Sequence, residues 1–459
     1  MNSVFTYQST LNYTSSNIPL DALDCRDKLI RLVNGYVLQS ENLIQDDLWV
    51  KNGIIYDGLD LFFNEKATAD IVIDVHGAVV SPGFIDIQVN GGYGMDFSSA
   101  EGDIALSVYE ISRRLPETGV TSFCPTIITS PTATYNKIFS KFQNYSHQKG
   151  CAKVLGLHME GPFISRLRPG MHPVSRILDF GEDPVKTILE TYQDGLKSIR
   201  MVTLAPELTG STAAISEFVS RGISVSIGHT NADCKALQSA ILSGATFMTH
   251  LFNSMPSFHH RDSHIFGGIT IPTPAIYVGL IADLVHVHPA ALRLAEAIAP
   301  GRVVLVTDAN TSFGLPDGTY TFGEQTIEAT SGVAYISGTN YLAGGTTPLS
   351  KCIRNFWVEV YRQQEIFSGS KWPGLGAAVA AASTRPARGL GLFQAVGSTK
   401  LSRGSLEAGA QADFTIICPD SLSLPEDPVL DVISTWIDGV PVFTAKKAKF
   451  TVYFRTEHT

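Results

Sequence analysis

The sequence of 459 residues lacks a basic cluster and carries little charge of either sign. Charged residues make up 17% of it, and its 34 basic and 43 acidic side chains leave a formal net charge of -9. Without a patch of Lys and Arg, neither nucleic acid nor an anionic membrane is expected as a partner. A small anionic substrate remains compatible with this charge, because a pocket needs only one or two cationic groups.

Cysteines are also few, and no long apolar run is present. The six cysteines are scattered without a C-x-x-C pair, so no disulfide framework is indicated and a reducing compartment is expected. The N-terminus lacks a basic start followed by an apolar run, which argues against a secretory signal. The longest apolar stretch, 375–382, is too short to cross a membrane. We therefore expect a soluble, cytoplasmic protein.

What the sequence does contain is a regular alternation of apolar strands with amphipathic helices, which begins at residue 82. This alternation predicts a parallel sheet, and about eight strands favour a (β/α)8 TIM-like barrel over an open doubly wound sheet. The predicted strands are 84–90, 121–127, 154–160, 200–205, 223–229, 246–250, 276–282 and 303–308. A loop-rich insert is expected after Asp308, followed by two helices near 347–363 and 374–390.

Short β-like runs flank this region on both sides. We expect residues 26–81 and 400–459 to form one small discontinuous β-sandwich domain, with the barrel over 82–399 between them. Residues 1–25 are polar and are expected to form an N-terminal extension that is partly ordered at best.

Four of the predicted strands end in a polar side chain, namely Glu160, His229, His250 and Asp308. A buried carboxylate is costly unless a cation or donors meet it. Active sites of barrels lie at the C-terminal ends of the strands, so one Glu and two His there predict a metal site with an open position. Asp308 fits a general base beside it. The alternatives are core histidines and, for Asp308, a helix N-cap.

Seven short motifs and a closing one resemble the amidohydrolase superfamily and, within it, the N-acetylglucosamine-6-phosphate deacetylase family. Their order along the chain, over nearly everything after the first 25 residues, is more specific than any one of them. The motifs are Pro82–Asp86, His158–Pro162, Leu204–Glu207, Gly228–Thr230, Thr249–Pro256, Val306–Ala309 and Leu342–Gly345, with Gly409–Phe414 at the end.

The resemblance implies a role for each matching residue. Glu160, His229 and His250 would bind one divalent metal ion, with zinc expected, while Asp308 would act as base and acid and His172 would lie near the acetamide carbonyl. Arg261 and His286 would face the phosphate, and the arginine can come from the partner subunit of a homodimer. The implied substrate contacts are Met171, His172, Asn253, Ser254, Arg261, Asp283, His286, Leu342, Ala343 and Gly344.

One departure from the superfamily concerns the first predicted strand. It usually ends in His-x-His, which binds a second metal, whereas this chain has Gln88-Val89-Asn90. Amides are poor zinc ligands compared with imidazole, so a single metal is expected, although a weak second site near Gln88 and Asn90 is left open. His286-Val287-His288 could be mistaken for a metal pair; we favour a phosphate contact for His286 and a structural role for His288.

The resemblance implies hydrolysis of the acetamide of N-acetyl-D-glucosamine 6-phosphate to D-glucosamine 6-phosphate and acetate, in amino-sugar catabolism or recycling. Two alternatives stay open at this point. One is another amidohydrolase reaction, such as deacylation of an N-acyl amino acid or opening of a ring amide. The other is a scaffold that kept the barrel and lost the chemistry.

Overall fold

Eight parallel strands form the centre of the computed structural model, which describes residues 13–16, 19–99, 101–271, 274–362, 372, 374–393, 402–420 and 429–455. Each strand pairs with the next in parallel register, and a bridge from Val89 to Ala309 joins the eighth back to the first. Barrel strands 1 to 8 are Phe84–Val89, Val120–Ile128, Leu157–Glu160, Ile199–Leu204, Ser224–Ile227, Phe247–Met248, Tyr277–Leu280 and Val303–Leu305. The predicted (β/α)8 barrel is confirmed, and the open sheet is excluded because the residues just after strand 8, Asp308 and Ala309, bond to the end of strand 1.

Helices surround the barrel and begin where the sequence supplies caps. Asp103, Asp183 and Asp233 each accept a backbone N–H from the first turn of their helices. The α-helices are Ile104–Ser112, Thr132–Phe142, Pro184–Tyr192, Ser211–Ser220, Cys234–Leu242, His264–Ile269, Pro289–Ile298, Leu349–Phe356, Leu375–Ala380 and Thr384–Gly389. Shorter helical turns cover Leu20–Ala22, Asp60–Asn64, Leu115–Thr118, Val174–Arg176, Gln193–Ser198 and Trp357–Arg362. In the described part of the chain, no helix is long and apolar enough to span a lipid bilayer.

Strands from both ends of the chain build a separate β-rich domain, as the sequence predicted. They form one ten-stranded sheet around its own core, in which the rings of Phe414 and Trp436 stack 5.0 Å apart. The strands are Tyr13–Ser16, Ile30–Gln39, Asn42–Lys51, Ile54–Tyr56, Ile71–Asp74, Val79–Pro82, Phe414–Asp420, Val429–Ile437, Val440–Thr444 and Thr451–Arg455. Part of the predicted extension, Tyr13–Ser16, pairs with Thr451–Arg455, while residues 1–12 lie outside the described residues. The boundaries assigned from the sequence stay predictions.

The segment after Asp308 is not the loop-rich insert that was expected. It forms a three-stranded antiparallel sheet of Gly318–Phe322, Gln325–Thr330 and Val333–Ile336. Gly323 and Gly332 adopt φ values of 58° and 76° at its two turns, a left-handed conformation that glycine takes without steric cost. Phe322 packs with Ile128 and Met171, so this sheet covers one side of the barrel mouth. Two further short pairings involve Gly91–Gly92 with Met95–Asp96, and Lys153–Val154 with barrel strand 2.

Candidate metal and active site

The four side chains predicted from the strand ends meet at the C-terminal end of the barrel. Glu160 is the last residue of barrel strand 3, while His229, His250 and Asp308 follow strands 5, 6 and 8 by two or three residues. Glu160, His229 and His250 are at most 4% exposed. The backbone is left-handed at His229, His250 and Asp308, with φ values of 46°, 25° and 50°. Such φ values are uncommon for residues other than glycine and cluster at functional sites.

Three ligand atoms converge on one point. His250 Nε2 lies 3.1 Å from Glu160 Oε1 and 3.1 Å from His229 Nε2, and His229 Nε2 lies 3.3 Å from the same carboxylate oxygen. Two imidazole nitrogens and a carboxylate oxygen form a donor set that suits Zn²⁺. A divalent cation would satisfy all three atoms at once, so the residues present fit a metal ion.

Hydrogen bonds at Nδ1 distinguish His229 from His172, while His250 Nδ1 has no hydrogen-bond partner among the described residues. His229 Nδ1 lies 3.0 Å from the carbonyl oxygen of Arg168, which can only accept, so Nδ1 carries the hydrogen and Nε2 presents a lone pair. His172 also comes close, because one ligand atom each of Glu160, His172 and His229 lie within 4.8 Å of one another. The backbone N–H of Thr129, however, donates to His172 Nδ1 at 3.2 Å, and the hydroxyl Oγ1 of Thr129, which can donate as well, lies 2.8 Å from the same nitrogen.

The ring of His172 is therefore neutral with its hydrogen on Nε2. Burial, with a further contribution from His229, lowers the pKa of His172 to about 3, so the ring stays uncharged near neutral pH. An Nε2–H group cannot coordinate a cation, but it can donate a hydrogen bond. The geometry thus favours His250 over His172 as the third ligand and leaves His172 as a donor at the edge of the site.

Asp308 is held by two amide side chains that sequence reasoning had treated only as missing metal ligands. Asn90 Nδ2 donates to Asp308 Oδ1 at 2.7 Å, and Gln88 Nε2 donates to the same oxygen at 3.0 Å and to Glu160 Oε1 at 2.9 Å. Burial of the carboxyl group and the charge of Glu160 raise the pKa of Asp308 to about 6. The hydrogen bond from Asn90 opposes that rise.

A cavity of about 280 Å³ opens above these residues. Of the predicted substrate contacts, Met171, His172, Asn253, Ser254, His286, Leu342 and Gly344 line it. Ala343 and Asp283 do not line the cavity but contact neighbouring residues. The carbonyl of Ala343 accepts from Asn310 Nδ2 at 2.7 Å, and Asp283 accepts from His286 Nδ1 at 2.7 Å. Sequence reasoning did not select the other wall residues, which are Ile128, Gly170, Ile281, Phe322, Asn340 and Tyr341.

Arg261 does not line this cavity. It lies exposed on the loop after His250, where its guanidinium group contacts His260 Nε2 at 3.0 Å. The lining residues consequently include no Lys or Arg. His288 is also outside: it is exposed and caps the helix Pro289–Ile298 through Nδ1, which accepts from Ala290 N–H at 3.1 Å. His286 and His288 therefore do not form a metal pair.

Comparison with known proteins gives matches over most of the chain. The model of the Amidohydrolase family matches residues 79–442. N-acetylglucosamine-6-phosphate deacetylases of Danio rerio and Homo sapiens are each 42% identical to this chain, over 90% and 92% of it and 97% of the relative. A solved Mycobacterium smegmatis deacetylase of this name, a mutant in complex with N-acetyl-D-glucosamine-6-phosphate, is 28% identical with a TM-score of 0.74, over 91% of this chain and 100% of that one. The Pasteurella multocida structure is 26% identical, also at a TM-score of 0.74, over 90% and 99%.

Proposed function

The chain belongs to the amidohydrolase family, and we propose that it hydrolyses the acetamide of N-acetyl-D-glucosamine 6-phosphate to D-glucosamine 6-phosphate and acetate. The observation that carries this proposal is the convergence of Glu160, His229 and His250 on one point, with Asp308 fixed beside it. The relatives that share 42% of its residues bear the name of this activity. The reaction belongs to amino-sugar catabolism or recycling. A cytoplasmic location stays a prediction, and it is compatible with six cysteines that form no disulfide in the described part of the chain.

Metal dependence follows from the family and from the candidate site. We propose that Glu160, His229 and His250 hold one divalent ion, Zn²⁺ in preference to others, because imidazole and carboxylate suit it. When bound, such an ion supplies Lewis acidity and makes water a usable nucleophile near neutral pH. Glu160 contributes one negative charge, so a divalent ion with these three ligands would keep a net positive charge.

Residues of the chain carry out the proton transfers of the reaction. Asp308 is positioned to accept the proton of the attacking water, because Gln88 and Asn90 hold its Oδ1 and orient the carboxyl group. His172 Nε2–H would donate to the acetamide oxygen as negative charge develops on it. The protonated Asp308 can then pass its proton to the leaving amine, which is a poor leaving group without it.

Recognition of the phosphate requires a group from outside this cavity. A phosphate dianion binds poorly without a cation, yet among the lining residues only histidines can supply positive charge. We propose that His286, held by Asp283, contacts the phosphate together with Arg261 of the partner subunit in a homodimer. The exposure of Arg261, and the fact that it does not line its own chain's cavity, support this arrangement.

Mixing two inactive variants tests whether the site is shared. A dimer of one Arg261→Ala chain and one Asp308→Asn chain has one site with an intact Asp308 and, from its partner, an intact arginine. Activity should therefore return on mixing, after exchange of subunits, to about a quarter or less of the wild-type level. If the arginine served its own chain's site, each site would lack one group and mixing would restore nothing.

Acetate release from N-acetylglucosamine 6-phosphate, measured with the metal content of the same sample, tests the activity. The wild-type protein should release acetate, while Asp308→Asn should retain the metal and lose the activity. Unphosphorylated N-acetylglucosamine should be a poor substrate, and N-acetyl amino acids should not react. A metal-loaded protein that cleaves the amino acid derivatives and not the sugar phosphate would favour the alternative amidohydrolase reaction.

A further inference from the structure

A chain of polar side chains crosses the interior of the barrel directly below the candidate metal ligands. Ser226 Oγ lies 2.6 Å from Thr249 Oγ1, which lies 2.8 Å from Thr203 Oγ1. Thr203 Oγ1 lies 2.7 Å from His158 Nε2, and His158 Nδ1 donates to the carbonyl of Ile87 at 3.0 Å. We call Ser226, Thr249, Thr203 and His158 the cross-barrel chain. All four are at most 3% exposed.

Two of these four hydrogen bonds join strands that are not neighbours in the sheet. The backbone ladder connects only adjacent barrel strands. The bond from Thr249 to Thr203, by contrast, links the end of strand 6 to strand 4, and the bond from His158 to Ile87 links strand 3 to strand 1. The cross-barrel chain therefore fixes distances across the barrel that the ladder does not set directly.

Three members of the cross-barrel chain lie one to three residues before a proposed metal ligand. Thr249 directly precedes His250, His158 comes two residues before Glu160, and Ser226 comes three before His229. Gly228, just before His229, leaves the room that the chain requires: a Cβ there would lie 2.7 Å from Thr249 Cβ and 2.9 Å from Thr203 Cγ2. The ligand-bearing strand ends are thus packed against the cross-barrel chain.

We propose that the cross-barrel chain positions Glu160, His229 and His250 for the metal, and that Thr203 is its central positioning residue. Thr203 lies on barrel strand 4, which contributes no ligand, so it acts through His158 and Thr249. The inference rests on the proposed function in that it takes these three residues as the ligands. It extends that function by naming groups below the site on which the metal affinity depends.

Two substitutions at one position separate the hydroxyl from the shape of the side chain. Thr203→Val keeps the shape and removes both hydrogen bonds, whereas Thr203→Ser keeps the hydroxyl. Competition with a chelator for Zn²⁺ on the full chain should show binding about tenfold weaker in Thr203→Val, as for other residues that orient metal ligands. Thr203→Ser should stay within about threefold of wild type. At saturating Zn²⁺, kcat should fall in Thr203→Val with little change in KM.

A matched control distinguishes positioning from general stability. Thr415→Val removes a buried threonine hydroxyl that donates to the carbonyl of Gly119 at 2.8 Å, at the base of the barrel and away from the site. It should lower the Tm and leave the Zn²⁺ affinity unchanged. The proposal is overturned if Thr203→Val lowers the Tm as Thr415→Val does and binds Zn²⁺ as tightly as wild type.

If Thr203→Val does not fold, Ser226→Ala provides the test, because it removes only the terminal hydroxyl of the cross-barrel chain. Its Zn²⁺ affinity should fall in the same direction, and an unchanged affinity would overturn the proposal. Failure of the proposed function looks different, since the wild-type protein itself would then bind no Zn²⁺ or release no acetate.

Discussion

Replacement of Asn90 by leucine should shift the acidic limb of the pH–rate profile to higher pH. Asn90 Nδ2 donates to the carboxylate of Asp308 at 2.7 Å and so stabilises its charged form. Asp308 must be ionised to accept the proton of water, and kcat/KM therefore falls as the pH falls through the pKa of Asp308. Loss of the donor raises that pKa, so the variant should lose activity at a higher pH than wild type.

The size of the shift follows from the contacts of Asp308. A hydrogen bond to a charged group contributes about 1.5–3 kcal/mol, and each pKa unit corresponds to about 1.4 kcal/mol, which gives about one to two units. Gln88 still donates to the same oxygen at 3.0 Å in the variant, so the lower end applies. We expect a shift of about one unit. A bound cation lowers the pKa of Asp308 in wild type and variant alike, so the difference between them is the quantity to compare.

Acetate release at limiting substrate, measured from about pH 5 to 9 with Zn²⁺ in excess, gives the two profiles. Asn355→Leu is the matched control, because Asn355 is equally buried and its Nδ2 donates to the carbonyl of Ala282 rather than to Asp308. Its acidic limb should coincide with that of wild type. An Asn90→Leu profile that is lower at every pH, with its limb unmoved, would refute the assignment of Asp308 as the titrating base held by Asn90.

Three further substitutions test other parts of the site. Glu160→Gln removes the only negative charge among the proposed ligands, so the Zn²⁺ affinity, measured by chelator competition, should fall by at least about 100-fold. His286→Asn should raise KM for the sugar phosphate about tenfold with a smaller change in kcat, and it should not affect residual turnover of unphosphorylated N-acetylglucosamine. Gly228→Ala would place a methyl group 2.7 Å from Thr249 Cβ. We expect it to lower the free energy of unfolding by about 1–3 kcal/mol, measured by thermal or denaturant unfolding, and to weaken Zn²⁺ binding. Unchanged stability and unchanged Zn²⁺ affinity would show that the strand ends can shift to accommodate the methyl group.

The barrel and the position of its polar residues could be predicted because both depend on local patterns. Apolar strands separated by amphipathic helices predict parallel strands, and parallel strands bring their C-terminal ends to one side. Glu160, His229, His250 and Asp308 could therefore be grouped from their places at strand ends alone. The three-stranded insert has a weaker local pattern: in Gln325–Thr330, buried Ile327 and Ala329 alternate with exposed residues, and Gly323 marks the turn before them.

The roles of Gln88 and Asn90 could not be obtained in this way. From the sequence, the two amides indicate only that the imidazoles of a second metal site are missing. Their partner, Asp308, lies 220 and 218 residues further along the chain, and no periodic pattern records which oxygen they contact. The choice between His172 and His250 as a ligand depends likewise on the backbone N–H and the hydroxyl of one residue, Thr129. Such contacts are properties of the folded chain and not of any segment of it.

The strained backbone of the site residues also depends on contacts between distant parts of the chain. It requires the hydrogen bonds that surround these residues. Left-handed φ values at His229, His250 and Asp308 cost about 1–3 kcal/mol each and persist only where neighbouring structure enforces them. At Asp308 the enforcement is direct: its N–H donates to the carbonyl of Gln88 at 3.0 Å, and its carbonyl accepts from the N–H of Gly345 at 2.7 Å. The residue that follows the eighth barrel strand is thereby tied to the end of the first. The backbone contacts that close the barrel therefore also fix the backbone of the proposed base, while Gln88 and Asn90 from the end of strand 1 hold its carboxyl group.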